Sequence, residues 1–158
     1  MKICVFFIIL YSSLFSENLF KETRYISAID VKQYKYGHIN YKNNILTLNY
    51  TKPRRETIIY EEDKLLIVSD DKTEEYSFDQ YSELDYMGLI LKAIVNNNYA
   101  SVDELFVVSK EDGYNLLNAK PAISDKIKYI KIKRDRDGLK QFIIYMINED
   151  TISIEITH

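Results

Sequence analysis

The chain has 158 residues, of which 46% are apolar and 14 are Tyr, with 21 Lys and Arg set against 24 Asp and Glu. That is the length of one domain with enough apolar mass to close a core, which excludes a wholly disordered or fibrous chain. A formal charge of −3 excludes a non-specific nucleic-acid binder, which needs a positive field to displace phosphate counterions.

Residues 1–16 read as a secretory leader cleaved after Ser16, the alternative being an uncleaved N-terminal anchor, which the bulky Leu14 close to the cut favours. Lys2 precedes an apolar run from Ile3 to Leu10 that extends through Tyr11, Ser12, Ser13, Leu14 and Phe15, and Ser16 supplies a small residue at the cut. The run falls short of the roughly 20 residues that a membrane-spanning helix needs. Cleavage removes Lys2 and Cys4, leaving a single domain at 17–158 with 20 basic and 24 acidic residues, a formal charge of −4 and no thiol. No disulfide or thiolate ligand is then expected.

Ile and Tyr are abundant, and β-branched and aromatic side chains fit a pleated surface, so the remainder is expected to be mainly β with few helices. After a short amphipathic start around Leu19 and Phe20, strands are expected near 26–36, 38–41, 45–51, 56–62, 64–69 and 74–79. Five more follow a helix, near 104–109, 114–118, 126–134, 139–147 and 151–157. Gly37, Asn43-Asn44, Glu62-Asp63, Asp70-Asp71, Asp112-Gly113, Asp137-Gly138 and Glu149-Asp150 are the expected turns. Eleven strands at this rhythm belong to a sandwich or a barrel, and the short links make neighbours antiparallel. The runs 65–68 and 142–147 are apolar on both faces, so part of the sheet must be covered twice.

The expected cover is a helix over 82–96, opened by Ser82 with Asp85 in a capping box and closed by Asn96-Asn97-Asn98. Leu84, Met87, Gly88, Leu91, Ile94 and Val95 form one apolar stripe. Tyr86, Leu89, Ile90 and Ala93 form a second, so the helix is expected to be buried on two sides. One side meets the sheet; the other either plugs the barrel or lines a cavity for an apolar guest.

Catalytic chemistry finds little to work with. The chain has two His, His38 and His158, and no phosphate-cradling glycine loop. Asp135-Arg136-Asp137-Gly138 lacks the further ligands of a calcium loop and reads as a hairpin turn. The acidic pairs Glu61-Glu62, Asp70-Asp71 and Glu74-Glu75 fall at turns and strand ends, where solvated charge is expected. No enzyme, cofactor or metal is expected. The one charge asymmetry is a basic stretch made by Lys126, Lys128, Lys131, Lys133, Arg134, Arg136 and Lys140. Lys128, Lys131, Lys133 and Arg134 are its candidate docking residues, for an acidic partner or an anionic head group. The bland alternative is a solvated strand face that discourages edge pairing.

The order of elements resembles the outer-membrane lipoprotein carrier family, LolA, from about Ile26 onward. The resemblance is carried by Ile29-x-Val31-x-Gln33, Gly37-x-Ile39, Leu48-x-Tyr50-x-x-Pro53, Ile58-Ile59 and Leu65-Leu66-Ile67. It continues through the apolar helix, Phe106-Val107-Val108, Asn115-Leu116-Leu117 before Pro121, Ile130-x-Ile132 and Asp137-Gly138-Leu139. It implies a half-open antiparallel β-barrel with a helical lid, carrying lipoprotein acyl chains across the periplasm as a monomer. The implied partners are acylated lipoproteins, an inner-membrane ABC transporter as donor and an outer-membrane acceptor. Where family members often carry a lid-holding Arg after the glycine turn, this chain has Lys42-Asn43-Asn44.

The residues suit such a carrier independently of the name. An acyl chain of about fifteen methylenes represents roughly 12 kcal/mol of avoided water contact, at about 0.8 kcal/mol per methylene. The candidate acyl wall is Leu46, Leu48, Tyr50, Ile58, Tyr60, Leu66 and Val68 on the sheet, with Met87, Ile90, Leu91 and Ile94 on the helix. Met87 can adapt to irregular chains. The alternative is an extracytoplasmic β-rich interaction module with a solid core that docks partners through the basic hairpin.

Overall fold

A computed structural model describes residues 18–157. The leader expected at 1–16, with Cys4, and the C-terminal His158 lie outside the described residues. Eleven strands form one antiparallel sheet: β1 (Asn18–Ile26), β2 (Val31–Lys42), β3 (Ile45–Lys52), β4 (Glu56–Tyr60), β5 (Lys64–Ser69), β6 (Thr73–Ser77), β7 (Phe106–Glu111), β8 (Tyr114–Ala119), β9 (Ile127–Asp135), β10 (Gly138–Met146) and β11 (Thr151–Thr157). The order across the sheet is β6-β5-β4-β3-β2-β1-β11-β10-β9-β8-β7. The edge strands β6 and β7 do not pair with each other, so the sheet is a half-open barrel. Because β6 and β7 are consecutive in the chain, their connection must cross the open side. That connection is helix α1 (Ser82–Val95) with a 3-10 turn at Tyr99–Val102, and it packs on the concave face.

Two strand expectations are corrected. The first strand begins at Asn18, where only an amphipathic start is legible, because the inward residues of β1 include Glu22 and Arg24 and the alternation therefore reads as polar. Residues 31–42 then form one strand rather than two, entered through a 3-10 turn at Ser27–Ile29 that ends with Asp30 at φ 49°. Gly37 is not a turn. It lies inside β2 at a bulge, opposite both Phe20 and Tyr50, and a Cβ there would stand 2.3 Å from the Asn49 carbonyl oxygen. Phe20 and Tyr50 meet edge to face at 5.4 Å from the two strands flanking that glycine. The Asn43-Asn44 hairpin forms as expected, with both residues at positive φ, the signature of a type I′ turn.

The helix ends differ from each other. Ser82 already lies inside α1 and Tyr81 is the N-cap without a side-chain bond, so the expected capping box does not form. At the other end Asn97 takes positive φ, its N–H donates to the Ile94 carbonyl and that of Asn98 to Ala93, which is a Schellman closure. Gly88, Ile90, Leu91, Ala93 and Ile94 are buried, while Tyr86 and Leu89 are each 37% exposed. The helix is therefore buried on one broad face against a concave sheet, not on two opposite sides. The core is a single cluster shared by helix and sheet.

Candidate functional site

Strand register sorts the candidate acyl wall. Leu46, Leu48 and Tyr50 of β3 pair with Tyr60, Ile58 and Glu56 of β4, so all six share the concave face. Ile58 and Tyr60 pair in turn with Ile67 and Leu65 of β5. Leu66 and Val68 therefore stand on the opposite, convex face beside Ile59 and Thr57. A run apolar on both faces gives no sequence signal for which alternate set turns inward, and Leu65 and Ile67 occupy the places expected for Leu66 and Val68. The helix residues Ile90, Leu91 and Ile94 are buried on the same concave side as Leu46, Leu48 and Tyr50, while Met87 is half-buried.

An apolar cleft of about 280 Å³ opens along the seam between the first half of α1 and the sheet. Tyr60, Leu84, Met87, Ile90, Ile127 and Met146 supply most of its lining, with Ile123 from the turn before β9. Its volume falls just below the roughly 300–1,000 Å³ of small-ligand sites. Gly88 places one of its walls: a Cβ there would come within 2.7 Å of the Tyr60 ring, so only glycine lets that ring lie against the helix. Leu84, Ile123, Ile127 and Met146 are the aliphatic members outside the expected wall; Leu84 belongs to the helix stripe already legible, but the other three sit 36 or more positions beyond Met87 and no periodicity connects them.

The helix is tied to the sheet at three levels. Lys126 pairs with Glu83 in the first turn. Lys92 Nζ donates to the Glu61 carbonyl at 2.7 Å, and burial holds its ammonium below the ordinary lysine range. Arg134 donates through Nη2 to the Ile94 carbonyl and through Nε to the Tyr99 hydroxyl at 3.2 Å. A cation at the helix C-terminus is favoured by the helix dipole. Arg134 thus leaves the docking stripe for which it was a candidate. It shares the concave face with Ile130 and Ile132, whereas Lys131 and Lys133 stand on the convex face over the Tyr114 ring, at 4.2 and 6.0 Å. Lys128 is exposed.

One charge is buried in the concave face. Glu22, 1% exposed, is paired with Arg24 and accepts the Tyr50 hydroxyl at 2.5 Å. Burial, and next the Glu22 carboxylate, push the Tyr50 phenol far up. Burial likewise raises Tyr60, to about 12. Desolvation alone would lower Arg24, but the charge and hydrogen bond of Glu22 outweigh it and raise its pKa. Among the described residues no group of three or more His, Cys, Asp or Glu is placed to hold a metal ion, and no helix is long and apolar enough to cross a membrane.

No protein-family model matches this chain, and no curated protein matches it.

Proposed function

We propose that the protein is an extracytoplasmic carrier that shelters the acyl chains of lipoproteins between its concave sheet and helix α1. It passes them between membranes, from a donor complex to an acceptor. The observation that carries the reading is the apolar seam cleft beside a helix that bridges the two open edges of the sheet. The first half of that helix, where Leu84 and Met87 are only half-buried, can shift without breaking any strand pairing, while Ile90, Leu91 and Ile94 hold the second half in the core. Met87 and Met146 put two adaptable thioethers at the cleft. Uptake and release both require the helix to change position at small free-energy cost, because a carrier that held its guest too well would trap it.

A second reading, an interaction module with a filled core, is favoured by Leu46, Ile94, Leu117, Ile130, Ile132 and Phe142, each at 0% exposure. Titration with an environment-sensitive acyl probe, competed by a triacylated lipopeptide, separates the two. The carrier gives saturable binding, roughly one to one, displaced by the lipopeptide and lost in Met87→Glu. That variant is preferred to Ile90→Glu because Met87 is only half-buried and Ile90 is 1% exposed. A folded protein that binds no probe removes the carrier reading and leaves Lys131 and Lys133 as the residues to reverse in charge.

A further inference from the structure

The other end of β4 carries a second kind of cleft. The turn Pro53-Arg54-Arg55 stands between two depressions. The one toward the concave interior, about 260 Å³, is lined by Lys35, Tyr50, Pro53, Arg54 and Glu56. The other, about 640 Å³, runs to the β5–β6 turn and has Arg54 and Arg55 together with Glu56, Asp70 and Asp71 on its walls. Lys52 lines a third depression that adjoins it and shares Arg55, Glu56 and Asp70. Glu56 is already engaged by Lys35 at 3.7 Å, and Lys35 lies 4.7 Å over the Tyr50 ring. Lys72, next to the acidic tip, is engaged by Glu74. That leaves Arg54 and Arg55 facing Asp70 and Asp71 across an open cleft, with no ion pair between them within 4.0 Å among the described residues. Both pairs of charges are exposed and so open to a ligand that carries a charge of each sign.

We propose that this cleft receives the zwitterionic head group of a phospholipid. A phosphate would sit on the Arg54 and Arg55 guanidiniums, whose planar forks match its oxygens, and a primary ammonium on Asp70 and Asp71. The assignment goes beyond the lipoprotein reading, since a triacylated lipoprotein has no phosphate head group, and rests on the acyl cleft of that reading for the tail alone. Glu56 and Tyr60 lie about 13 Å apart along β4, four residues at roughly 3.3 Å each. Between them on the concave face Ile58 and Ile67 are only half-buried, an apolar track from the head-group cleft to the seam cleft at Tyr60 and Met87.

The test compares lysophospholipids that share one acyl chain and carry phosphoethanolamine, phosphocholine or phosphoglycerol, binding to the purified protein by calorimetry below their micelle concentrations. Phosphoethanolamine should bind about tenfold tighter than the other two, since choline cannot donate to the aspartates and glycerol brings no cation. Arg54→Ala with Arg55→Ala should weaken all three, whereas Asp70→Asn with Asp71→Asn should weaken phosphoethanolamine most, phosphocholine less and phosphoglycerol not at all. These are exposed turn residues, and thermal melts check that the variants fold. Equal affinity for the three head groups, or affinities unmoved by both pairs of substitutions, overturns the proposal. So does free phosphoethanolamine binding as tightly as the lysolipid, which would make the ligand a solute. A fluorescent fatty acid without a head group reports the tail alone. Its failure to bind, alongside a retained phosphoethanolamine preference, removes the carrier reading and leaves the head-group site standing.

Discussion

The two halves of the concave face bury their side chains to different depths. On the β8–β11 side Leu117, Ile130, Ile132, Phe142 and Ile144 are at 0 to 1% exposure, though Ile152 is half-buried, whereas on the β4–β6 side Tyr60 and Leu65 are buried but Ile58, Ile67 and Tyr76 are only half-buried. The cause lies in which residues turn inward. β9, β10 and β11 present Ile130 and Ile132, Phe142 and Ile144, Ile152 and Ile154 in register, so branched side chains stack without interruption. On the other side Glu56, Ser69 and Glu74 interleave the apolar positions. A filled half gives the scaffold its rigidity, and a slack half gives a guest somewhere to enter without creating a new cavity.

The largest effects should follow that division. Phe142→Ala should cost about 3–5 kcal/mol in urea unfolding, the range for emptying a packed aromatic site, while Ile58→Ala should cost less than about 2 kcal/mol. Equal costs would mean that the two halves are packed alike. Alkaline pH should pick out the boundary between them. Tyr60 holds its phenolic proton to about 12 when folded, against 10.0 as the ordinary value. Its contribution is thus complete below pH 10 and is lost as pH rises toward 12, on the order of 3 kcal/mol. Tyr60→Phe should flatten the fall in stability between pH 10 and 12, and a slope unchanged in that variant would place the phenol in water.

Much of this was legible in the sequence because local chemistry decides it. Asn43-Asn44 and Asp112-Gly113 accept the positive φ that tight hairpins require, and Ile152, Ile154 and Ile156 alternate cleanly. The eleven antiparallel strands and the covering helix follow from those runs and their order, which left a sandwich and a barrel equally open; the half-open barrel was what the resemblance implied. What stayed hidden depends on partners distant in the chain. Glu22 reads as a surface residue until Tyr50, 28 positions away, is placed against it. Arg134 reads as one more cation in a basic stretch until the register turns it inward onto the end of α1. Leu66 and Leu65 are indistinguishable by composition, and only the pairing with Ile59 and Tyr60 separates the faces they occupy.

The smallest expected effects come from the ties of the helix, and they sharpen the comparison because the ties reach both halves. Arg134 bridges the filled half to the C-terminal end of α1 through two hydrogen bonds from one partly buried guanidinium. Arg134→Ala should cost about 1–2 kcal/mol and speed amide exchange in the last turn of the helix. Lys126 and Glu83 are both solvated, and screening there leaves such a pair little to contribute. Lys126→Ala should leave the unfolding midpoint unchanged yet widen the mouth of the seam cleft, which Lys126 lines. Faster acyl-probe association in that variant at unchanged stability would put the opening of the carrier at the first turn of α1. Slower association, or an equal gain in Arg134→Ala, would put the hinge at that turn and the opening at the far end.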